Sequence, residues 1–265
     1  EHIEKFVCPT ITSDQILDGK PFRFSLDRRP HVALVMSEPE YQTETTLTAF
    51  ANRVLRRDFR LSFLYADPAD PDRLTGVEAL DDADAALISV RRRALPKEQL
   101  DAFRRLVASG KAVVGIRTAS HAFAIRQGPP PAGRDLWPEF DRDVLGGNYH
   151  GHHGNKDASG YTTYVQVQPD RAAHPILKGM PAAEFRVYSS LYTTSPLAAK
   201  ATPLMLGRAE AGSPQEPVAW TNTNTGGGRV FYTSLGGPQD FELPPFQRLL
   251  TNAVYWAAGK EPPAP

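Results

Sequence analysis

The chain is poor in cysteine: Cys8 is the only one among 265 residues, so it can close no internal disulfide and build no cysteine-based zinc cluster. It also lacks a charge surplus. Thirty Lys and Arg stand against thirty Asp and Glu, a formal net charge of zero, which removes the basic footprint of a dedicated nucleic-acid binder. No apolar run approaches the ~20 residues needed to span a bilayer, so neither a membrane nor nucleic acid is an expected partner. A soluble protein taking a small, neutral or modestly charged molecule fits these absences. No internal repeat is visible. The chain begins at Glu1 without a methionine, consistent with removal of an export signal or with trimming. An exported or periplasmic location is the expectation drawn here, and an oligomer is compatible with the composition.

The length suits one large α/β domain. Residues 1–30 mix charge with Pro9, Gly19 and Pro21 and read as an N-terminal arm; residues 31–260 read as the domain. Short apolar runs at 31–36, 60–66, 83–90 and 112–116 are bounded by turn residues and read as strands. Between them, Leu47, Phe50, Val54 and Leu55 repeat at helical spacing, with Thr43 as cap. A second helix opens at Pro96 and closes at Gly110. Residues 67–72, rich in Pro and Asp, read as a loop. The alternation predicts a parallel sheet with right-handed crossovers and helices on both faces, in a flavodoxin-like order. Extended pieces at 161–168, 187–197, 202–207, 217–221 and 228–234 predict an added C-terminal antiparallel extension. A final helix from Pro244 to Gly259 buries Phe246, Leu249, Leu250, Val254 and Trp256.

Two segments carry the chemistry. In Val113-Val114-Gly115-Ile116-Arg117-Thr118-Ala119-Ser120-His121 an apolar strand breaks into polar side chains, where open α/β sheets bind ligands, at the carboxyl ends of their strands. Arg117 occupies the place a nucleophile takes in a strand-to-helix elbow. It either holds a ligand with its donor fork or pairs with Glu38 or an aspartate at the sheet edge. Ser120 and His121 are neighbours on a helical first turn, which do not normally face each other, so a Ser/His hydrolase pair is not expected. The second segment, Gly146-Gly147-Asn148-Tyr149-His150-Gly151-His152-His153-Gly154-Asn155, joins imidazoles to glycines that permit close backbone approach. If it is extended, His150 and His152 share a face, and His121 or Glu38 completes a metal set; the other reading is a metal-free polar pocket. Arg91-Arg92-Arg93 leaves the 83–90 strand, and one of these arginines is a candidate to face the ligand.

The runs Gly115-Ile116-Arg117-Thr118-Ala119-Ser120-His121-Ala122-Phe123, Gly146-Gly147-Asn148-Tyr149-His150-Gly151-His152-His153, His174-Pro175-Ile176-Leu177-Lys178-Gly179, Pro217-Val218-Ala219-Trp220-Thr221 and Gly228-Arg229-Val230-Phe231-Tyr232-Thr233-Ser234-Leu235-Gly236, in this order, resemble the ThuA-like, or trehalose-utilisation, family from Arg29 to Gly259. Its fold resembles the class I glutamine amidotransferase domain. Those relatives carry a cysteine where this chain has Arg117, so the resemblance does not imply glutamine hydrolysis. The family more often carries histidines where this chain reads Thr223-Asn224 and Gly237-Pro238.

The resemblance implies carbohydrate utilisation. The expected activity is that of an enzyme acting on an oxidised or modified sugar of the keto-glycoside type, by proton transfer or hydrolysis. His121, His152 and Arg117 are its catalytic candidates. Glu38, Tyr41, Arg91, Ser120, Trp137, Tyr149, His150, Tyr192 and Asn224 are the candidates for contact with the carbohydrate. The alternatives are a non-catalytic carbohydrate-binding or scaffold module and a metal-dependent hydrolase. No cofactor is expected; a divalent metal, if one binds, would take His121, His150 and His152.

Overall fold

A computed structural model of the chain describes residues 27–153, 160 and 162–264, together with the backbone of Ile11–Thr12 and Arg23–Phe24, which pair antiparallel. The remainder of the expected N-terminal arm, Cys8, Tyr161, and the Gly154 and Asn155 that end the histidine-rich run lie outside the described residues.

The strands are β1 (His31–Ser37), β2 (Arg60–Asp67), β3 (Asp70–Leu74), β4 (Ala85–Val90), β5 (Ala112–Ile116), β6 (Thr163–Val167), β7 (Phe185–Val187), β8 (Thr202–Arg208), β9 (Gln215–Thr223) and β10 (Arg229–Thr233). The helices are α1 (Thr43–Phe50), α2 (Ala79–Asp82), α3 (Lys97–Ala108) and α4 (Pro244–Ala257). All ten strands form one sheet in the order β7-β6-β8-β9-β10-β5-β4-β1-β2-β3. The run β10-β5-β4-β1-β2 is parallel throughout, and its order along the chain is the flavodoxin-like 2-1-3-4-5 that the strand and helix alternation predicts. The antiparallel strands β6 to β9 form the expected extension, continuing the sheet beyond β10; along the chain they precede β10, so the extended piece at 228–234 is the last parallel strand, paired with β5, rather than part of that extension.

The parallel strands are apolar on both faces because both are covered. Val32, Leu34 and Met36 of β1 join Leu47, Phe50, Leu249 and Val254 from α1 and α4 on one side. Ala33 and Val35 join Leu100, Phe103 and Leu106 of α3 on the other. Among the described residues no helix is long and apolar enough to cross a membrane.

Three local expectations are corrected. Residues 70–74, inside and beyond the loop expected at 67–72, form the edge strand β3, antiparallel to β2. Pro71 is tolerated there because an edge strand has a side that needs no donor, and Arg134 ion-pairs with Asp70. The helix expected from 43 to 59 keeps α geometry only to Phe50 and continues as one wider turn, Ala51–Leu55. In α4 it is Tyr255 that is buried, 6% exposed, whereas Trp256 is half-buried and packs on His174 and Arg229.

Candidate functional site

In a 2-1-3-4-5 sheet the crevice opens where the strand order reverses, here between the carboxyl ends of β1 and β4, with β5 beside them. Glu38 leaves β1, the three arginines leave β4, and Arg117 leaves β5.

Arg117 stands at φ 43, a left-handed conformation that non-glycine residues avoid and that the elbow comparison leads one to expect. The elbow is tight. A Cβ on Gly115 would lie 3.0 Å from Leu145 and Tyr232 side chains and 3.3 Å from Ala119 Cβ, so small residues flank the strained one. Tyr232 holds the turn by donating its hydroxyl to Arg117 O at 2.6 Å.

Neither reading of the Arg117 side chain drawn from the sequence describes its partners. It is 2% exposed, and its guanidinium donates to Ser234 O at 2.7 Å, Ser190 Oγ at 2.8 Å, Ser190 O at 3.3 Å and Tyr41 Oη at 3.3 Å. Its carbon Cζ lies 4.4 Å from the centre of the Tyr41 ring and 4.5 Å from that of Tyr192. Most of its fork is thus committed to the protein, and among the described residues it has no ion pair. Glu38 is elsewhere engaged: it accepts from Tyr41 N, Thr43 N and Thr43 Oγ1 at 2.8, 3.0 and 2.8 Å. Thr43 therefore does not cap α1; the buried Glu38 carboxylate satisfies its start instead. Burial pushes Glu38 above the usual carboxylate range, against the pull of those bonds.

Tyr41, Arg117, Tyr192, Tyr149 and His121 follow one another in a column, with Tyr149 tilted by 49° on Tyr192 at 4.6 Å and His121 stacked on Tyr149 at 4.7 Å between ring centres. One end opens on a cavity of about 420 Å³ lined by Tyr41, Arg117, His152, Ser190 and Gly237. The other opens on one of about 530 Å³ lined by Arg92, Ser120, His121, Asp141, Tyr149 and His150.

Ser120 and His121 do meet, contrary to expectation: Ser120 Oγ lies 3.0 Å from His121 Nδ1. The contact runs along the backbone rather than across the helix, since Nδ1 is the ring nitrogen nearer the main chain. It is not a hydrolase pair. A base that activates serine must accept a proton beside a carboxylate, whereas burial first, and then Arg92, Arg91, Arg117 and Arg126, hold the His121 imidazole down at about 3. It is neutral at any ordinary pH.

Asp141, which also lines the larger cavity, is not among the candidates that the sequence offers. It is 8% exposed, and burial raises its carboxyl to about 7 against the single pull of Tyr149 N–H, which donates to Oδ2 at 2.8 Å. Its Oδ1 is buried without a hydrogen-bond partner. The glycines of the second segment do what was expected of them: Gly146 sits at φ 77 against Asn222, and a Cβ on Gly147 would lie 2.9 Å from Trp220. From β9, Trp220 Nε1 donates to Leu145 O at 2.7 Å and Asn222 Nδ2 to Val144 O at 3.0 Å, anchoring the turn that carries Asp141. Nothing in the run Glu139-Phe140-Asp141-Arg142-Asp143 marks Asp141 out from the acids on either side.

The other candidates scatter. His150 and His152 are exposed and line different cavities rather than one face. Among the described residues no three His, Cys, Asp or Glu side chains stand together as a metal-ligand set, and the set of His121, His150 and His152 does not converge. Arg91 ion-pairs with Glu40 at 2.6 Å. Trp137 packs on Phe140 and beneath Arg104. Asn224 stands at the opposite end of the sheet, where it accepts from Gly226 N and Gly228 N and donates to Lys111 O, a turn fastener rather than a ligand contact.

A second unforeseen residue, Asp240, supports the smaller cavity. It is fully buried and accepts from Tyr188, Ser189, Gly236 and Gly237 backbone N–H groups and from Ser189 Oγ. Asp240→Ala strands these donors and is expected to cost at least about 3 kcal/mol, read as a shift of the urea midpoint; a loss under about 1 kcal/mol contradicts this role.

The profile of the ThuA family, described as trehalose utilisation, matches residues 32–257. Among solved structures, the chain is similar to a ThuA-like protein from Parabacteroides merdae, with 18% identity, a TM-score of 0.62 and coverage of 90% of this chain and 93% of that one. It is also similar to a cytoplasmic protein from Salmonella typhimurium, with 11% identity, a TM-score of 0.54 and coverage of 86% and 98%. At these identities the structural likeness concerns the fold. No curated protein matches this chain significantly. The extent of the family match, together with the five sequence runs lying in order along this fold, establishes that the chain belongs to the ThuA family, which implies a role in carbohydrate utilisation.

Proposed function

We propose that this protein is an enzyme that moves a proton on an oxidised or otherwise modified sugar held in the larger cavity. Asp141 is its acid and base, and the neutral His121 imidazole is the hydrogen-bonding group beside it. One observation carries this reading: the usual order of proton affinities is inverted. Asp141 titrates at about 7 and His121 at about 3 within one lining, so near pH 6 the carboxyl holds a proton while the imidazole has none. Two groups whose surroundings push them apart mark acid and base assignments, and a catalyst titrating near the working pH is the efficient one. Tyr149 and Tyr192 offer flat faces for a sugar ring. Arg117 is a positioning residue here, stiffening the column rather than gripping the substrate.

The test is conversion of a panel of keto-glycosides by the purified protein. Turnover that falls in both Asp141→Asn and His121→Ala supports the assignment; full activity in both variants ends it. One observation favours the non-catalytic alternative: the elbow position holds an arginine committed to Ser234 O and Ser190. Saturable sugar binding without turnover, weakened by Tyr149→Ala, would establish that reading instead.

A further inference from the structure

Three arginines leave β4 in succession, and two are engaged within the fold. Arg91 pairs with Glu40. Arg93 donates to Ser37 Oγ at 2.8 Å and lies 3.8 Å from Asp72. Arg92 has no ion pair among the described residues, its Nε is buried without a hydrogen-bond partner, and its side chain lines the larger cavity with His121, Asp141 and Tyr149. Its backbone is held at φ 53, with its N–H on His121 O at 3.0 Å. That conformation costs a side chain of this kind about 1–2 kcal/mol, and glycine would adopt it freely. An arginine at a glycine's place, strained, unpaired and facing a cavity, is costly to the fold and directed at something outside it.

We propose that Arg92 anchors an anionic group and that the modified sugar of this cavity is a sugar acid, bearing a carboxylate of the uronic or aldonic type. This rests on the reading of the cavity as a sugar site and narrows it. A guanidinium fork matches the two oxygens of a planar carboxylate. The surrounding charge agrees: Arg91 and Arg126 add to the positive field at the Arg92 and His121 end, and Arg142, the lining's other arginine, is already paired with Asp143. The remaining acid of the lining besides Asp141 is Glu139, which is exposed. A phosphate would instead call for a cradle of free backbone N–H groups at a helix start or glycine-rich loop, whereas in this lining the N–H groups of Gly147, Tyr149 and His150 already donate to Asp141 O, Asp141 Oδ2 and Thr193 O.

Calorimetric titration of the full chain with glucuronate, glucose and glucose 6-phosphate tests this on the wild type, Arg92→Gly and Arg92→Lys. Glycine suits the backbone angle, so Arg92→Gly should unfold no earlier than the wild type. The wild type is expected to bind glucuronate about 10–100-fold more tightly than glucose. Arg92→Gly should erase that preference while leaving glucose binding unchanged, and Arg92→Lys should keep part of it. Equal binding of glucose and glucuronate, unmoved by Arg92→Gly, overturns the proposal and leaves the sugar site standing. Arg92-dependent binding of glucose 6-phosphate without glucuronate overturns the carboxylate. Equal loss of all three ligands in Arg92→Gly, or no binding by the wild type, also overturns it. Arg92-dependent glucuronate binding with no turnover of any sugar sustains the proposal and removes the enzymatic reading alone.

Discussion

Asp141→Asn is expected to lower turnover of a modified sugar by roughly 10²–10⁴-fold while making the protein more stable, not less, at pH 8. The two effects share one cause. The Asp141 carboxyl is raised from 3.8 to about 7 by burial, so the folded state favours its protonated form. Its contribution to stability is complete below the unfolded value near pH 4 and declines as pH rises toward 7. Above that it is a constant penalty on the order of 4 kcal/mol. Asparagine removes the ionisation and keeps an oxygen for Tyr149 N–H, but its amide N–H₂ takes the place of the unpartnered Oδ1, at a cost of about 1–3 kcal/mol. The net gain at pH 8 is then about 1–3 kcal/mol, and it reverses to a loss of about 1–3 kcal/mol as pH falls to 4. Urea midpoints at several pH values measure it, and a variant less stable than the parent at pH 8 would refute the assignment. The pH–rate profile should also lose its inflection near 7. His121 does not supply that inflection, since its imidazole is held at about 3 and its own effect on stability is lost only as pH falls from about 6.5 toward that value.

Trp220→Ala should destabilise the protein by about 3–5 kcal/mol, the usual cost of emptying a large aromatic site in a core that relaxes only in part. Trp220 is fully buried, its ring centre 4.5 Å from that of Tyr232, and its indole N–H donates to Leu145 O. The consequence for function follows from what it touches. Leu145 and Gly147 belong to the turn between Asp141 and Tyr149, and Tyr232 holds the Arg117 elbow. Alanine at 220 therefore loosens both walls of the larger cavity and lets water reach Asp141, whose carboxyl should titrate nearer the ordinary range. Trp220→Phe keeps most of the volume and loses only the indole donor, so it should cost about 1–2 kcal/mol. Calorimetric melting separates the variants; a loss under about 1 kcal/mol for alanine would mean that the indole is not the support described here.

Some of this was legible in the residues. Runs such as Val32-Ala33-Leu34-Val35 and Val113-Val114 are apolar on both faces, and only a strand covered on both sides needs that. The alternation of such runs with helical spacing then fixes a parallel sheet, and the sheet fixes where its crevice must be. β3 was not legible, because an edge strand containing Pro71 and three acidic or basic residues carries no hydrophobic period.

The site was legible only in outline. Residue types and chain order marked the elbow at Arg117 and the glycine- and histidine-rich segment as the two walls, and the family runs marked the chain as a ThuA protein. Which side chain does what was decided by tertiary structure, because burial and charge neighbours are properties of the fold. A pair of Arg117 with Glu38 is one of the readings the sequence leaves open, and both side chains turn out to be held by other groups. Arg92 is indistinguishable from Arg91 and Arg93 in a run of three, and only its backbone angle and an Nε without a hydrogen-bond partner among the described residues set it apart. Asp141 looks like any surface aspartate until Trp220 and Gly147 close over it. The sequence by itself determined the class of fold, the end of the sheet that carries the crevice and the family; the folded chain alone decided where a proton rests in it, since proton affinity depends on what surrounds a group and not on its name.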